Sequence, residues 1–259
     1  MPELPDVEGF RRYLADHAQG KRVKGVAVLD RAIVRNRSPQ TLGRALRGHR
    51  FATPQRHGKW LIAPVGEVEL LLHFGMTGGL HWATAREPRD RHDRVVFQCA
   101  GGELRYNNMR RFGGVWLARD ASERTGVTGP LGPDAAALDR QGLEELLQKR
   151  RGGIKAALMD QRLLAGVGNL LSDEILWRAK INPRAPVAKL SQRRRDRLYE
   201  ALHDTIVESS RYGQVPRGRG WLTGVRDDPA GRCPRCATRL RHGTVAGRTA
   251  CWCPTDQRR

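Results

Sequence analysis

Apolar positions near the chain start recur at helical spacing. Val7, Phe10, Leu14 and Ala18 fall on one side of "VEGFRRYLADHA", which predicts a helix directly behind the first residues. From Gly20 to about Leu117 the pattern changes to short alternating runs broken by Gly and Pro, such as "VKGVAVL", "WLIAPV", "VELLLHF", "RVVFQC" and "GGVWLA", and reads as an antiparallel sandwich. One helix interrupts it, "SPQTLGRALRG", with Ser38 as cap and Pro39 in the first turn. The stretch "RTGVTGPLGPDAAA" concentrates Gly, Pro and Thr and reads as a linker. Helical spacing then returns in "GLEELLQKR", "IKAALMDQ", "LLSDEILWRAKI" and "SQRRRDRLYEALHDTIVESSR", the last capped by Ser191 with Leu198, Leu202 and Ile206 on one face. Residues 212–232 form a Gly/Arg/Pro-rich connection, and a cysteine-bearing unit closes the chain.

A chain of 259 residues suits one large domain or two modest ones. Lys and Arg number 47 against 27 Asp and Glu, a net charge of +20, which favours a polyanionic partner and nucleic acid above all. Arg-heavy usage also follows from GC-rich coding, so charge alone does not settle the partner. No run approaches the ~18 apolar residues of a membrane span. Residues 2–20 are charged throughout, which predicts a cytoplasmic protein. Cys99 stands alone, whereas Cys233, Cys236, Cys251 and Cys253 crowd the end, a distribution that favours metal over disulfide inside a cell.

Several stretches carry chemistry. Loss of Met1 leaves Pro2 as a secondary amine that titrates near ~8 and attacks electrophilic carbon, with the Glu3 carboxyl beside it to move a proton. In "RHGKWL", Lys59 follows a glycine and precedes an apolar strand, which aims its amine at one place. "LLAGVGNLL" joins two helices by two turns, with Asn169 at the second helix start, where backbone amides bind phosphate; Lys155 lies nearby. "YNNMRRFGG" sets Arg110, Arg111 and Phe112 together. Taken alone it reads first as a strand with one buried Phe and two solvated arginines; its other reading is a wedge that enters a base stack, with Met76 of "HFGMTGG" as a second wedge residue or simply core. In "CPRCATRLRHGTVAGRTACWCPTD", Cys233 and Cys236 form one knuckle. A second knuckle needs a ligand at position 256, which is Asp, so Cys233, Cys236, Cys253 and Asp256 can close a tetrahedral zinc site, with Cys251 or His242 as the other choices for the fourth place.

Together "PELPDVE", "GKWL", "HFGMTG", "RHDR", "YNNMRRFG", "LGPD", "IKAALMDQRLLAGVGNLLSDEILWRAKINP" and "VAGR" followed by "CP" resemble, in order and over nearly the whole chain, the formamidopyrimidine-DNA glycosylase and endonuclease VIII family. The resemblance implies an α+β fold: an N-terminal antiparallel β-sandwich with flanking helices, a C-terminal helical domain with a helix-two-turns-helix motif, and a β-hairpin zinc finger, over 1–130, 131–225 and 226–259. It implies base-excision repair by a DNA glycosylase with abasic-site lyase activity, removing oxidised, ring-opened or alkylated bases from duplex DNA. Catalysis falls to Pro2 as nucleophile, Glu3 as proton donor to the sugar and Lys59 at the sugar oxygen. Met76, Arg110 and Phe112 fill the void left by a flipped lesion. His92 and Arg111 join the DNA contacts, while Lys155, Asn169 and Arg248 meet phosphates. The expected metal is one structural zinc, with no nucleotide cofactor and no membrane partner, in a monomer working on damaged double-stranded DNA at the bacterial nucleoid. Three departures stand out. Asp256 replaces the fourth cysteine, "YNNM" replaces an acidic-proline pair, and "YGQVPRGRGWLTGVRDDPAGRC" is shorter than the segment the family folds over oxidised guanine, which puts 8-oxoguanine excision in question.

Overall fold

Helix α1 (Leu4–Ala18) turns its apolar stripe inward, with Val7, Leu14 and Ala18 buried and Phe10 packed against them. The structure is a computed structural model and describes residues 2–84, 86–148 and 150–258. Eight strands follow: β1 (Val23–Val28), β2 (Gln55–His57), β3 (Trp60–Val65), β4 (Val68–His73), β5 (Gly78–Ala83), β6 (Asp93–Cys99), β7 (Gly102–Asn108) and β8 (Gly114–Ala118). They make two antiparallel sheets, ordered β1-β6-β7-β5 and β2-β3-β4-β8. Val23, Phe97 and Leu104 of one sheet share a core with Leu61, Leu70 and Val115 of the other, the predicted sandwich. Helix α2 (Pro39–Leu46) starts as predicted: Ser38 Oγ accepts the Thr41 N–H at 3.1 Å and Pro39 opens the first turn.

Two local expectations are corrected. The predicted linker begins inside helix α3 (Ala121–Thr128), because Asp120 caps that helix by accepting the Glu123 N–H at 2.8 Å, a stronger local signal than the glycine at 126. Ser191 does occupy the cap position of the long helix, but its side chain makes no capping bond.

The chain divides into two compact units, one holding Pro2 and Asp6–Pro130, the other holding Glu3–Pro5 and the chain from Leu131 onward. The second contains α4 (Arg140–Gln148), α5 (Ile154–Met159), α6 (Asn169–Arg178), α7 (Gln192–Tyr212) and the hairpin β9 (Arg241–Val245) and β10 (Arg248–Trp252). Leu4 joins its core with Leu158, Leu171, Ile175, Leu198 and Ile206. Trp177, Leu222, Leu240 and Cys251 form a smaller core under the hairpin. No helix among the described residues is long and apolar enough to cross a membrane.

Candidate active site and nucleic-acid interface

In the first unit, Pro2 stands two residues ahead of α1 and is half-buried. Met1, whose removal frees the amine, lies outside the described residues. Lys59 sits in the two-residue turn between β2 and β3, where Gly58 takes φ 57° and His57 pairs with Trp60. Trp60 in turn faces His73 across the β3–β4 register, with ring centroids 4.9 Å apart. Burial, and then the Lys59 charge, push the His73 imidazole down to about 4, so it is neutral at physiological pH. His73 carries no signal of its own in the sequence beyond its place at the head of the "HFGMTGG" stretch that supplies Met76.

Two exposed side chains project from loops of the sandwich. Met76 lies in the β4–β5 turn at 39% exposure, and Phe112 in the β7–β8 loop at 61%. The reading of Phe112 as a buried strand residue is therefore excluded. The two loops are joined: the Arg110 N–H donates to Thr77 Oγ1 at 3.1 Å, and a Cβ on Gly75 (φ 59°) would come 2.4 Å from the Gly113 nitrogen. Beneath them Asn108, one of the residues that replace the acidic-proline pair, is fully buried. Its Oδ1 accepts the Arg111 N–H at 2.9 Å, and its Nδ2 donates to the Tyr106 hydroxyl at 2.8 Å and to the Phe74 carbonyl at 3.3 Å. Tyr106 donates to the His73 carbonyl at 2.8 Å, so the β7–β8 loop and the Lys59 neighbourhood share one framework.

The arginines divide by task. Arg110 places its guanidinium 5.0 Å over the Phe112 ring, a cation–π pair that stiffens both. Arg111, at φ 59°, pairs with Asp30 at 2.8 Å, while Arg35 donates to its carbonyl at 2.7 Å. Arg111 therefore braces the loop. His92 lies between two guanidiniums, 3.1 Å from Arg91 Nε and 3.2 Å from Arg94 Nη2.

In the second unit, two turns connect α5 to α6, and the acceptor at the α6 start is Glu3. Its fully buried carboxylate accepts the Gly168 N–H at 2.7 Å, the Leu170 N–H at 2.8 Å and the Leu171 N–H at 3.1 Å. These amides were expected to bind a phosphate; the chain's own carboxylate takes them, by the same attraction of an anion to a helix N-terminus. A Cβ on Gly168 would stand 2.4 Å from the Glu3 carboxyl carbon, so any larger residue there displaces the carboxylate from its seat. Asn169 opens the helix, and its Oδ1 is buried without a hydrogen-bond partner.

Lys155 departs from the surface phosphate contact expected of it. It is 0% exposed, and its ammonium donates to Asp173 Oδ1 at 2.5 Å and to the Thr249 carbonyl at 3.1 Å. Arg226 Nε donates to the second Asp173 oxygen at 2.8 Å. Burial pushes the Asp173 carboxyl up and the Lys155 ammonium down, against the mutual attraction of the pair. Arg248 opens β10 beside the Ala246–Gly247 turn and is exposed.

Cys233, Cys236, Cys253 and Asp256 bring one donor atom each to within 4.8 Å of one another. Zinc–sulfur bonds of ~2.3 Å place tetrahedral donors just under ~4 Å apart, so this set would need to draw in by less than about 1 Å, and its three thiols and one carboxylate are the donor types zinc takes. Neither alternative fourth ligand belongs to it. Cys251 is buried elsewhere with its thiol pushed up to about 12 by desolvation, and His242 donates to the Arg226 carbonyl at 2.8 Å. Asp256 is steered by Arg235, whose Nε is 3.0 Å from Oδ2 and whose guanidinium lies 4.1 Å over the Trp177 ring.

Comparison with known proteins supplies the remaining finding. The profile of the formamidopyrimidine-DNA glycosylase N-terminal domain matches residues 1–115, and that of the formamidopyrimidine-DNA glycosylase H2TH domain matches residues 131–216. The chain is 33% identical to the formamidopyrimidine-DNA glycosylase of Pelotomaculum thermopropionicum, covering 100% of this chain and 99% of that one. Identity to the Moorella thermoacetica protein of the same name is 37%, over 98% of this chain and 91% of the other. Among solved structures, the Lactococcus lactis Fpg in complex with abasic-site DNA superposes with a TM-score of 0.89 at 28% identity, covering 99% of this chain and 100% of that one. A MutM complex with DNA containing carbocyclic 8-oxo-G gives 0.90 at 29% identity, with full coverage of both chains.

Proposed function

The chain belongs to the formamidopyrimidine-DNA glycosylase family, and from that premise we propose that Pro2 is the nucleophile that expels a damaged base. The protein is a DNA glycosylase of base-excision repair with its family's abasic-site lyase step, and DNA is its partner. The observation that carries the assignment is Glu3. The residue that follows Pro2 in sequence has its carboxylate immobilised by three backbone amides, so the acid next along the chain from the amine is pre-organised.

The steps follow from amine chemistry. The Pro2 nitrogen bonds to C1′ as the glycosidic bond breaks, and the base leaves with the electron pair and takes up a proton. The attacking Pro2 nitrogen gives up its N–H proton, which Glu3 takes and then delivers to the ring oxygen as the C1′–O bond breaks and the sugar opens, giving an iminium between Pro2 and C1′. The iminium acidifies the C2′ hydrogen; its loss expels the 3′ phosphate, and a second elimination expels the 5′ phosphate. Lys59, in its tight turn beside a neutral His73, serves the sugar oxygen.

Met76, Arg110 and Phe112 fill the space left by the flipped nucleotide, and the joined loops that carry them support this. Asn169, His92 and Arg248 contact the phosphate backbone, Arg111 acts by bracing the wedge loop, and Lys155 is withdrawn from the contact set because its ammonium is enclosed. Cys233, Cys236, Cys253 and Asp256 would hold one zinc, which ties the hairpin base together and takes no part in the chemistry. The three segments 1–130, 131–225 and 226–259 then divide the work into catalysis, backbone grip and hairpin, in a monomer acting on bacterial DNA in the cytoplasm.

For the lesion, ring-opened guanine is preferred to 8-oxoguanine. The connection after α7 is fastened to α6: Thr223 donates its N–H to Glu174 at 3.1 Å, and Arg178 stacks 4.1 Å over buried Trp221. One similar structure is the Lactococcus lactis Fpg in complex with DNA containing N7-benzyl-Fapy-dG, which extends the proposal to bulky N7 substituents. Borohydride trapping on end-labelled duplexes carrying an abasic site, ring-opened guanine or 8-oxoguanine tests the whole reading, with the N-terminus checked by mass spectrometry. A covalent adduct, absent with Pro2→Gly, is expected. Binding without any adduct despite a free Pro2 would make the protein a non-catalytic binder of damaged DNA.

A further inference from the structure

The zinc hairpin is anchored at both ends by different means. At its base stand the three thiols and Asp256. Near its tip, Asp173 gathers three donors: Lys155 Nζ at 2.5 Å on one oxygen, and on the other Arg226 Nε at 2.8 Å and the Cys251 N–H at 3.2 Å. Both cations also donate to the Thr249 carbonyl, Lys155 at 3.1 Å and Arg226 Nη2 at 2.9 Å. The Arg226 carbonyl receives the His242 ring N–H at 2.8 Å, and His242 faces Cys251 across the hairpin. Asp173 thus holds β10 directly at position 251 and, through the two cations it gathers, at position 249, immediately behind Arg248.

Two physical points give this arrangement a purpose. First, Lys155, Asp173 and Arg226 are 0%, 1% and 6% exposed. Burying three charges is a poor route to stability, because well-packed apolar groups of the same volume often do as well or better; what directional buried ion pairs supply is registry. Second, a two-stranded hairpin is barely stable by itself. Zinc at the base leaves the tip on a lever of several residues at ~3.4 Å each. Asp173 lies one helical turn after Asn169 on the same face of α6, so the cluster connects the helix that presents Asn169 to the strand that presents Arg248.

We propose that Asp173, with Lys155 and Arg226, is a positioning device that sets Arg248 at a fixed spacing from Asn169, making the two a single reader of the DNA backbone. The proposal rests on the reading of these two residues as phosphate contacts. It gives the buried lysine a function through other residues rather than through contact with DNA.

The test compares full-length zinc-loaded proteins on a duplex carrying a stable abasic analogue. The charge-free triple variant Lys155→Met, Asp173→Leu, Arg226→Met keeps the volume and removes the directional bonds. Affinity is expected to fall by the same factor as in Arg248→Ala, with the log–log salt slope shallower by about 1. Adding Arg248→Ala to the triple variant is expected to change nothing further. A folded triple variant with parental affinity and slope, or one whose loss simply adds to that of Arg248→Ala, overturns the proposal. Should the triple variant fail to fold, Arg226→Gln, which keeps the Lys155–Asp173 pair, carries the same comparison. If Arg248→Ala alone leaves binding untouched, the phosphate reading fails separately, and amide exchange at Thr249–Trp252 decides the positioning role: protection lost in the variant supports it, protection kept overturns it.

Discussion

Glu3 accepts the Leu170 N–H at 2.8 Å, so a residue at the front of the chain caps a helix that begins at Asn169. Its carboxylate caps the helix and, in the proposed mechanism, also carries a proton. Glu3→Gln presents an amide NH2 to N–H donors and is expected to destabilise the protein by about 1–3 kcal/mol, beyond its loss of base excision. Gly168→Ala keeps the carboxyl group but drives a methyl into it, and the same two losses are expected. Chemical denaturation beside single-turnover excision measures both. Stability unchanged in either variant would remove the capping role.

Phe112 offers the opposite case. At 61% exposure it contributes little to the folded state, so Phe112→Ala should leave stability within about 0.5 kcal/mol. Excision of a paired lesion should drop roughly tenfold or more, because flipping costs a few kcal/mol that the wedge offsets, whereas cleavage at a preformed abasic site in the same duplex should change less. Equal losses on the two substrates would argue against a wedge.

The fourth zinc ligand is open to direct assay. Asp256→Ala is expected to weaken zinc by tenfold or more in competition with a chromophoric chelator, and Asp256→Cys to strengthen it by completing a four-thiolate set. Chelation of the parent should release one zinc per chain and expose the hairpin to protease. Parental affinity in Asp256→Ala would assign the fourth place elsewhere.

His73 predicts a pH dependence of stability. Its imidazole falls to about 4 when folded and returns to near 6.5 when unfolded, so as pH drops through that window the unfolded chain binds a proton that the folded chain refuses. Stability should decline between about pH 6.5 and 4, by at most roughly 3 kcal/mol from this group, and level off below. His73→Gln should flatten that part of the profile. A parallel decline in variant and parent would show that other groups are responsible.

The readable parts of the molecule were those with local signals. Ser38 and Pro39 marked α2, alternation marked the strands, and the spacing of Cys233, Cys236, Cys253 and Asp256 marked a cluster that the fold does assemble. The misreadings came from partners distant in sequence. The amides at the α6 start looked ready for phosphate because nothing near them reveals an acceptor 165 residues earlier. Lys155 reads as a phosphate contact in the sequence because Asp173 is 18 residues away and Arg226 lies beyond α7. Asn108 looked like a lost acidic residue, yet an amide both donates and accepts, which the loop uses and a carboxylate alone does not provide.

The distance between Glu3 and Gly168 also has a meaning in time. A ribosome adding ~5–20 residues per second needs roughly 8 to 33 s to make the 165 residues that separate them. Through that interval the sandwich can fold, but the acid next to Pro2 has no amides to seat it. On the proposed roles of Pro2 and Glu3, a truncated or stalled product would carry the amine without an oriented acid, so the newborn chain would acquire its chemistry only once the α6 start had been built.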